Sequence, residues 1–447
     1  MTRRPHAVVV GTGAGGSAVA RELQGTYDVT VLEAGPAFRP LALSFRTMER
    51  MRGTRLLVDP RLIGGLFPAM HVQKTTGALY MVSGRSTGGT TTLATGNALR
   101  MDESLRALGI DLDAEFDELS REIPVSTAHQ ARWNGTTRKL FDACAGLGLA
   151  PAPTPKMVDY GKCRRCGRCV LGCPWGAKWD SRRFLDEAVS KGARLRHGCT
   201  VHSVVTRAGR AVGVRVRAGL QSRFVPADLV VLCAGGLGTP AILGRSGIAC
   251  SPRLFVDPVL CVAAPWPGAG QQAEVPMPFV VQRPGYIVSP YFDFLSYLFD
   301  RRWRLPGSGI VGLMIKLADS EQGSIPPGRG RIEKTMTDAD ARTLREAEAL
   351  CRGILEASGV KPADIFLGTL NAGHPGGMLP LTAQEAGTLH SPLLPAGLYV
   401  ADATLFPRSL GNPPILTILA LARRVARTAA RDAGAGSSPA SSRGSAA

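Results

Sequence analysis

Residues 7–16 read Ala-Val-Val-Val-Gly-Thr-Gly-Ala-Gly-Gly, and a second apolar stretch from Tyr27 to Leu32 ends on Glu33. This order predicts a strand, a glycine turn, a helix over about 17–24 and a second strand, which together make a βαβ unit. The glycines of such a unit form the turn, admit a pyrophosphate and let the helix pack on the strand, and the acid accepts ribose hydroxyls. The pattern predicts an α/β dinucleotide-binding domain whose cofactor contacts are Gly11, Gly13, Gly15, Gly16 and Glu33.

A second motif lies at residues 163–174, which read Cys-Arg-Arg-Cys-Gly-Arg-Cys-Val-Leu-Gly-Cys-Pro. This C-x2-C-x2-C-x3-C-P spacing is typical of bacterial ferredoxins and predicts a [4Fe–4S] cluster. A structural zinc site is the main alternative, although zinc ligand pairs are usually split by a longer loop, and disulfides are a weaker one. The cysteine before proline can ligate a different cluster, in which case Cys144 or Cys199 would complete the site. The candidate metal ligands are Cys163, Cys166, Cys169 and Cys173.

The composition is that of an ordinary globular protein. The 447 residues are 45% hydrophobic and 20% charged, and this length allows two subdomains around a large core. The formal charge of +18 is mostly arginine, and no nucleic-acid-binding motif accompanies it. No apolar run is long enough for a transmembrane segment, and the N-terminus leads straight into the first predicted strand rather than into a secretory segment. These features favour a cytoplasmic protein without a nucleic acid partner, in which the ten cysteines stay reduced.

Three further segments resemble the glucose–methanol–choline (GMC) oxidoreductases. Gly-Arg-Ser-Thr-Gly-Gly-Thr-Thr at 84–91 resembles the flavin-attachment segment of that family, residues 229–240 resemble its second signature, and residues 398–403 with 411–417 resemble its C-terminal flavin motif. The resemblance implies FAD rather than NAD. It also implies a Rossmann-like FAD-binding domain in the two-domain architecture of p-hydroxybenzoate hydroxylase, with an α+β substrate domain built on an antiparallel sheet. The further flavin contacts that it implies are Gly88, Gly89, Thr90, Asn97, Val201, Ala234, Asp402, Ala403, Pro413 and Thr417.

The chain is short for this family and departs from its pattern at Ala94, where an asparagine is common; Asn97 follows three positions later. The predicted FAD-binding domain is discontinuous and covers residues 1–40, 80–100, 190–250 and 365–432. The cysteine segment covers residues 155–185, and the substrate domain covers 251–364 with parts of 41–79 and 101–154. Residues 433–447 are rich in Ala, Gly, Ser and Pro, and this composition predicts a disordered tail.

The catalytic residues are also implied by the resemblance. Residues 371–378 resemble the segment that carries the catalytic histidine of the family, here His374, and Asn412 matches its partner, as in cholesterol oxidase-like members. Oxidation of an alcohol requires loss of a hydroxyl proton, which a neutral imidazole takes or relays, while an amide holds the same oxygen. Pro413 and Pro414 suit the first positions of a helix, whose positive end would face the flavin.

Two features belong to the predicted substrate domain. The aromatic stretch at residues 286–299 is either part of the core or the wall of an apolar substrate pocket. Thr337 and Asp340 predict a helix N-terminus, apolar residues at helical spacing follow, and Gly359 predicts the end of the helix.

The sequence therefore predicts an FAD-dependent oxidoreductase that oxidises the CH–OH group of an apolar or medium-sized alcohol, or reduces a carbonyl in the reverse direction. Electrons would pass through the [4Fe–4S] cluster to an external carrier. The basic residues around the cysteines form either a solvated face or a docking patch for an acidic carrier such as a ferredoxin: Lys162, Arg164, Arg165, Arg168, Lys178, Arg182 and Arg183. The alternatives are an oxygen-dependent alcohol oxidase with structural cysteines, a non-redox flavin isomerase or lyase, and a non-enzymatic electron-transfer subunit.

Overall fold

The computed structural model describes residues 4–53, 59–219, 221–328 and 330–435. The strands within these ranges are β1 (His6–Val10), β2 (Asp28–Leu32), β3 (Met70–Lys74), β4 (Tyr80–Gly84), β5 (Val125–Ser126), β6 (Ala152–Pro153), β7 (Lys156–Met157), β8 (Arg194–Arg196), β9 (Thr200–Arg207), β10 (Arg210–Ala218), β11 (Gln221–Pro226), β12 (Leu229–Leu232), β13 (Pro258–Pro265), β14 (Phe279–Arg283), β15 (Tyr286–Pro290), β16 (Ile310–Leu317), β17 (Phe366–Leu367), β18 (Asn371–Ala372) and β19 (Leu398–Val400). The helices are α1 (Ala14–Glu22), α2 (Phe45–Gly53), α3 (Ile63–Leu66), α4 (Glu103–Arg106), α5 (Asp113–Glu122), α6 (Gly135–Gly146), α7 (Arg182–Ser190), α8 (Gly235–Arg245), α9 (Phe294–Phe299), α10 (Asp338–Ala357) and α11 (Ile415–Ala435).

A parallel sheet in the order β19–β12–β1–β2–β8 forms the first layer. Ala7 on the central strand β1 lies between Leu229 on β12 and Val29 on β2. Four of these strands, β1, β2, β12 and β19, are short, mostly apolar and buried, because α1 and α11 pack on the sheet and β10, from a three-stranded sheet in the order β11–β10–β9, packs against β12. The α/β fold predicted from the glycine motif is confirmed, although α1 begins at Ala14, three residues before the predicted start.

A larger sheet runs in the order β3–β4–β18–β13–β16–β15–β14–β6, with β17 also paired to β13. Its neighbouring strands are antiparallel except β4 and β18, which are parallel. The antiparallel sheet expected for the second domain is therefore present, with one parallel pair. Both β4 and β18 come from ranges assigned above to the FAD-binding domain, and the domain boundaries stay predictions.

Two predictions about the substrate domain concern local structure. Helix α10 has a capping box, in which Thr337 and Asp340 satisfy each other's backbone N–H groups, and Gly359 beyond its end has a φ of +92°. The predicted helix is confirmed. The aromatic stretch packs as core, since Tyr286 is 3% exposed, Tyr297 is fully buried and the Tyr297 ring stacks on Phe45 at 5.3 Å.

Helix α11 starts directly after the two prolines, as predicted, and the carbonyl of Pro414 accepts a hydrogen bond from Ile418 N over 2.9 Å. Its buried Arg423 forms ion pairs with Glu22 of α1 and with Glu118 and Glu122 of α5, at 2.7 to 3.0 Å. These contacts fix the start of α11 beside the parallel sheet. Residues 436–447 of the expected tail lie outside the described residues. None of the helices in the described part of the chain has the length and apolar character needed to cross a membrane.

Candidate active site

A cavity of about 540 Å³, here called the strand-end cavity, lies at the carboxyl ends of the parallel strands. Open α/β sheets bind their ligands at this edge, and the volume is within the range of about 300–1,000 Å³ that is usual for ligand sites. Most of the predicted cofactor contacts line it together with the predicted base: Gly11, Gly13, Gly15, Glu33, Gly89, Thr90, Val201, Ala234, Asp402, Ala403 and His374.

The glycine turn has the two properties that a pyrophosphate needs. Gly11 has a φ of +100°, and a Cβ there would lie 2.3 Å from the carbonyl oxygen of Cys233, so the turn requires glycine. A Cβ on Gly13 would meet nothing within 4 Å. Gly13 therefore faces open space at the N-terminus of α1, where a phosphate can approach the backbone N–H groups.

Glu33 follows β2 and turns its carboxylate toward the same turn. Its Oε2 accepts from the backbone N of Thr12 at 3.2 Å and from Thr12 Oγ1 at 2.6 Å, and its Oε1 accepts from Gly35 N at 2.8 Å. Burial raises the pKa of Glu33, while the three hydrogen bonds oppose that shift. The carboxylate is therefore fixed in position at the edge of the cavity, as a ribose acceptor would have to be.

The loop at residues 84–91 is fastened to the glycine turn. Gly88 N donates to Thr12 Oγ1 over 3.0 Å. Ser181, at the start of α7, donates from Oγ to the carbonyls of Thr12 and Gly88 at 3.1 and 3.0 Å, and its hydroxyl lies 2.9 Å from that of Thr91. The segment predicted to attach the flavin thus forms one wall of the strand-end cavity.

Asp402 joins the second signature to the C-terminal motif. Its Oδ2 accepts from Gly235 N at 2.9 Å and from Thr239 Oγ1 at 2.6 Å, and its Oδ1 accepts from Thr404 N at 2.9 Å. Burial raises the pKa of Asp402, although these hydrogen bonds act in the opposite direction. One carboxylate thereby holds the N-terminus of α8 against the turn that follows β19.

His374 lines the cavity with a side chain that is 23% exposed. Burial lowers the pKa of His374 and the Lys316 ammonium lowers it further, while Asp257, whose Oδ2 lies 3.6 Å from Nδ1, opposes both. The imidazole is therefore neutral near pH 7, as a proton acceptor must be. Neither Asp257 nor Lys316 was predicted from the sequence, in which the available signal was a lysine inside the otherwise apolar strand β16.

Asn412, unlike His374, does not line the strand-end cavity. Its side chain is buried and forms a reciprocal amide pair with Gln282, in which Gln282 Nε2 donates to Oδ1 at 3.1 Å and Nδ2 donates to Gln282 Oε1 at 3.3 Å. Pro414 and Ile415 line the cavity, whereas Asn412 stands beside the lining. The structure therefore places His374 in the cavity wall, whereas Asn412 is hydrogen-bonded to Gln282 of β14.

Other predicted contacts lie behind the cavity wall. Asn97 donates from Nδ2 to Met277 Sδ over 3.0 Å and accepts from the Lys156 ammonium, while Ala94 occupies the wall in its place. Thr417 Oγ1 accepts from Met101 N at 3.0 Å. The remaining predicted contacts outside the lining are Gly16, Gly88 and Pro413.

The family model for GMC oxidoreductases matches residues 7–262, from the first strand into the large sheet and more than half of the chain. The chain belongs to the GMC oxidoreductase family. This confirms the resemblance described above, and FAD is the cofactor that membership implies. The open space before Gly13 and the fixed carboxylate of Glu33 fit the pyrophosphate and ribose of FAD.

Several GMC-type proteins are similar to this one. An uncharacterized GMC-type oxidoreductase of Mycobacterium tuberculosis is 36% identical over 271 residues, which cover 56% of this chain and 40% of that protein. An uncharacterized protein of Methanocaldococcus jannaschii is 23% identical over 94% of this chain and 98% of its own length. The long-chain-alcohol oxidase FAO4A of Arabidopsis thaliana is 26% identical over 54% of this chain and 34% of that protein. The crystal structure of pyridoxine 4-oxidase from Mesorbium loti superposes with a TM-score of 0.68 at 18% identity, covering 95% and 99% of the two chains, and supports the fold.

The cysteine motif of this GMC chain forms a second, smaller cavity of about 20 Å³, here called the cysteine cavity. Cys163, Cys166, Cys169 and Cys173 all line it. Cys199 instead lines the strand-end cavity, and Cys144 packs in the core. Cysteines in the described residues are free thiols, and none of the His, Cys, Asp and Glu side chains described form a group of three or more that is arranged to hold a metal ion.

Two buried lysines stand between the cavities. Lys178 lines the cysteine cavity and donates from Nζ to the carbonyls of Thr91 and Thr92 at 2.7 and 2.9 Å. Lys156 donates to Asn97 and, over 2.6 Å, to the carbonyl of Pro276. Burial lowers the pKa of Lys156 to about 7, and burial raises the pKa of Cys169 to about 12 against the pull of both ammonium groups. The site is therefore a group of four half-buried thiols with two buried lysines beside it.

The basic residues around the cysteines do not form one uniform face. Lys178 is buried, Arg168 donates to the Leu41 carbonyl, Arg182 pairs with Asp180 at 2.8 Å and Lys162 pairs with Asp159 at 3.1 Å. Arg164 and Arg165 line both the cysteine cavity and an adjoining surface cleft of about 680 Å³. Both residues are exposed.

Proposed function

We propose that this GMC protein is an FAD-dependent oxidoreductase that oxidises the CH–OH group of an apolar or medium-sized alcohol. The observation that carries the proposal is that His374 lines the same cavity as the glycine turn and Glu33. The partial match to a long-chain-alcohol oxidase supports an alcohol substrate. We also propose the predicted domain ranges and a cytoplasmic location, and we propose as flavin contacts the predicted residues that line the strand-end cavity.

Bound FAD would supply an acceptor for the hydride that leaves the carbinol carbon. His374 takes the hydroxyl proton, so that the alcohol loses a hydride and a proton and becomes a carbonyl compound. The lowered pKa of His374 keeps the imidazole unprotonated before the substrate binds. Asn412 remains our proposed second partner of the substrate oxygen, a role that requires its Nδ2 to leave Gln282 Oε1 or the Leu410 carbonyl when substrate binds.

We further propose that Cys163, Cys166, Cys169 and Cys173 hold a [4Fe–4S] cluster. The support is the spacing of the four cysteines, which is that of a ferredoxin motif, and the fact that all four thiols line one cavity; at about 20 Å³ that cavity must open to admit a cube whose irons each take one thiolate. Burial lowers the pKa of Lys156 and of Lys178, and the nearby Cys169 opposes this shift in its thiolate form, so that thiolates formed on cluster binding would favour the charged ammonium groups. Such a cluster would supply one-electron chemistry and make the enzyme a dehydrogenase that serves an external carrier.

The proposed carrier is an acidic protein such as a ferredoxin. The cleft beside the cysteine cavity is lined by Lys139, Arg164, Arg165 and Trp266, and Trp175 nearby is 53% exposed. Positive charge at the mouth of the site favours an acidic surface, because complementary charge accelerates encounter. Arg164 and Arg165 are the residues that connect this cleft to the thiols.

The second candidate function is an oxygen-dependent alcohol oxidase in which the cysteines only stabilise the fold. It is favoured by the names of the Arabidopsis relatives, which are oxidases. Anaerobic purification followed by visible and EPR spectra and iron and sulfide assays tests the choice. We expect one FAD with about four irons and four sulfides per chain. Stoichiometric zinc, or no metal after anaerobic reconstitution, would exclude the cluster and favour the oxygen-dependent alcohol oxidase.

A further inference from the structure

We infer that Asp257 is a positioning residue for His374: its carboxylate receives the Nδ1–H of the imidazole and leaves Nε2 free to take the substrate proton. This inference rests on the proposed function and deepens it. Asp257 lies just before β13, in the large sheet, and is remote in sequence from His374.

The backbone holds the two side chains next to each other. Phe255 and Gly376 exchange hydrogen bonds of 3.2 and 3.1 Å, and His374 N donates to the carbonyl of Val256 at 3.3 Å. Asp257 Oδ2 then lies 3.6 Å from His374 Nδ1, which is buried and has no hydrogen-bond partner at this distance. Hydrogen bonds of catalytic groups are often long without ligand and shorten when the substrate binds.

The carboxylate is fixed independently of the histidine. Asp257 is 1% exposed, forms an ion pair with the buried ammonium of Lys316 and accepts from the hydroxyl of Ser409. Its backbone has a φ of +51°, a left-handed conformation that is uncommon outside glycine, asparagine and aspartate. Strained backbone of this kind persists where the surrounding structure fixes it and is concentrated at functional sites.

The charges around His374 determine the pKa and the tautomer of its imidazole. Asp257 faces the imidazole ring from the start of β13, and Lys316 faces it from β16. Behind these two residues, Asp319 accepts a hydrogen bond from the backbone N of Asp257 at 2.8 Å and forms an ion pair with Lys334 at 2.7 Å. A carboxylate on Nδ1 fixes the tautomer and stabilises the imidazolium that forms when Nε2 takes the proton. Lys316 limits this stabilisation, so the ring stays neutral until substrate arrives.

The test is ¹⁵N NMR of the full FAD-loaded chain labelled at histidine, with the His374 signals assigned by their loss in His374→Gln. We expect the Nδ1–H tautomer in the wild type. Asp257→Asn should lower the midpoint of the His374 titration and reduce the Nδ1–H population, and Lys316→Met should raise the midpoint. A purely structural role would not move the two midpoints in opposite directions.

The controls keep the outcome interpretable. Asparagine tolerates the left-handed backbone, so Asp257→Asn is expected to fold, and its FAD content and circular dichroism verify this. If that variant fails to fold, the His374 tautomer in the wild type and the shift of the titration midpoint in Lys316→Met still test the inference. An Nε2–H tautomer in the wild type, or unchanged midpoints in both variants, would overturn the inference. Failure of every alcohol to reduce the flavin, with the tautomer as expected, would instead overturn the proposed reaction.

Discussion

The ammonium group of Lys178 donates to the carbonyl oxygen of Thr91 over 2.7 Å. Thr91 lines the strand-end cavity, and Lys178 lines the cysteine cavity. The buried side chain of Lys178 therefore links the walls of the two cavities through a hydrogen bond. Any cofactor pair held in these cavities would share this cation as a common neighbour.

Lys178→Met should lower the reduction potential of the proposed cluster, because reduction adds negative charge that the ammonium stabilises. We expect a change of at least about tenfold in the reduction equilibrium, which is about 59 mV for one electron. An EPR-monitored redox titration measures it. Lys191→Met, at an exposed position after α7, is the matched control and should leave the potential unchanged. Equal potentials in the wild type and Lys178→Met would show that the lysine has only a structural role.

His374→Ala should retain FAD and lose the proton acceptor. We expect flavin reduction by substrate to slow by about 10² to 10⁴-fold, the usual contribution of a general base. Stopped-flow absorbance under anaerobic conditions, with an alcohol that reduces the wild-type flavin, measures the rate. His197→Ala, on the surface after β8, is the control. A single-turnover rate equal to that of the wild type would remove His374 from the mechanism.

Glu33→Ala should weaken FAD retention because it removes the ribose acceptor and the hydrogen bonds to Thr12 and Gly35, and it should leave the metal content unchanged because none of these groups lines the cysteine cavity. The same residue predicts a pH effect. Burial raises the pKa of Glu33, so the carboxylate gains a proton at a higher pH than an ordinary glutamate and FAD release on acidification starts correspondingly early. Fluorescence of released flavin follows this release. Full retention by Glu33→Ala through extensive dialysis would contradict the assignment.

Gly13→Ala and Gly16→Ala should have different defects, the first in FAD binding and the second in the stability of the fold. A Cβ on Gly13 meets open space, so this variant should fold with wild-type thermal stability as apoprotein but bind FAD poorly. A Cβ on Gly16 would lie 1.9 Å from the Gly11 carbonyl oxygen, so this variant should lose stability with or without flavin. Thermal unfolding of apo and loaded protein separates the two cases. Normal FAD binding by Gly13→Ala would place the pyrophosphate elsewhere.

Cys166→Ser should abolish the cluster, because a hydroxyl lacks the soft anionic donor that iron needs. Flavin reduction by alcohol should persist while turnover with the external carrier is lost. Iron and sulfide assays on anaerobically purified protein are the measurement, and Cys199→Ser, outside the cysteine cavity, is the control. Iron content that is the same in both variants would exclude Cys166 as a ligand.

Local patterns were sufficient for the parts of the fold that depend on neighbouring residues. The strand, glycine turn and acid around Gly11 to Glu33 predicted the parallel sheet, and Thr337 predicted the start of α10. Most of the residues predicted as flavin contacts line the strand-end cavity, because they lie in family motifs. The contacts that pair residues far apart in sequence were not predictable in this way.

Asn97 and Asn412 show the limit of predicting side-chain contacts from sequence motifs. Each was expected to touch the cofactor or substrate from its place in a motif, yet Asn97 contacts Met277 and Lys156, and Asn412 pairs with Gln282. Asp257 was missed because a single aspartate before a strand has no distinctive pattern. Its importance depends on where β16 places Lys316.

The contacts of Asp402 have a consequence for how the protein is made in the cell. This carboxylate closes the site by binding Gly235 and Thr239, which precede it by more than 160 positions. A ribosome must therefore synthesise nearly the whole described chain before the wall that contains Asp402 exists. The complete strand-end cavity can therefore close around a ligand only after residue 402 has been synthesised.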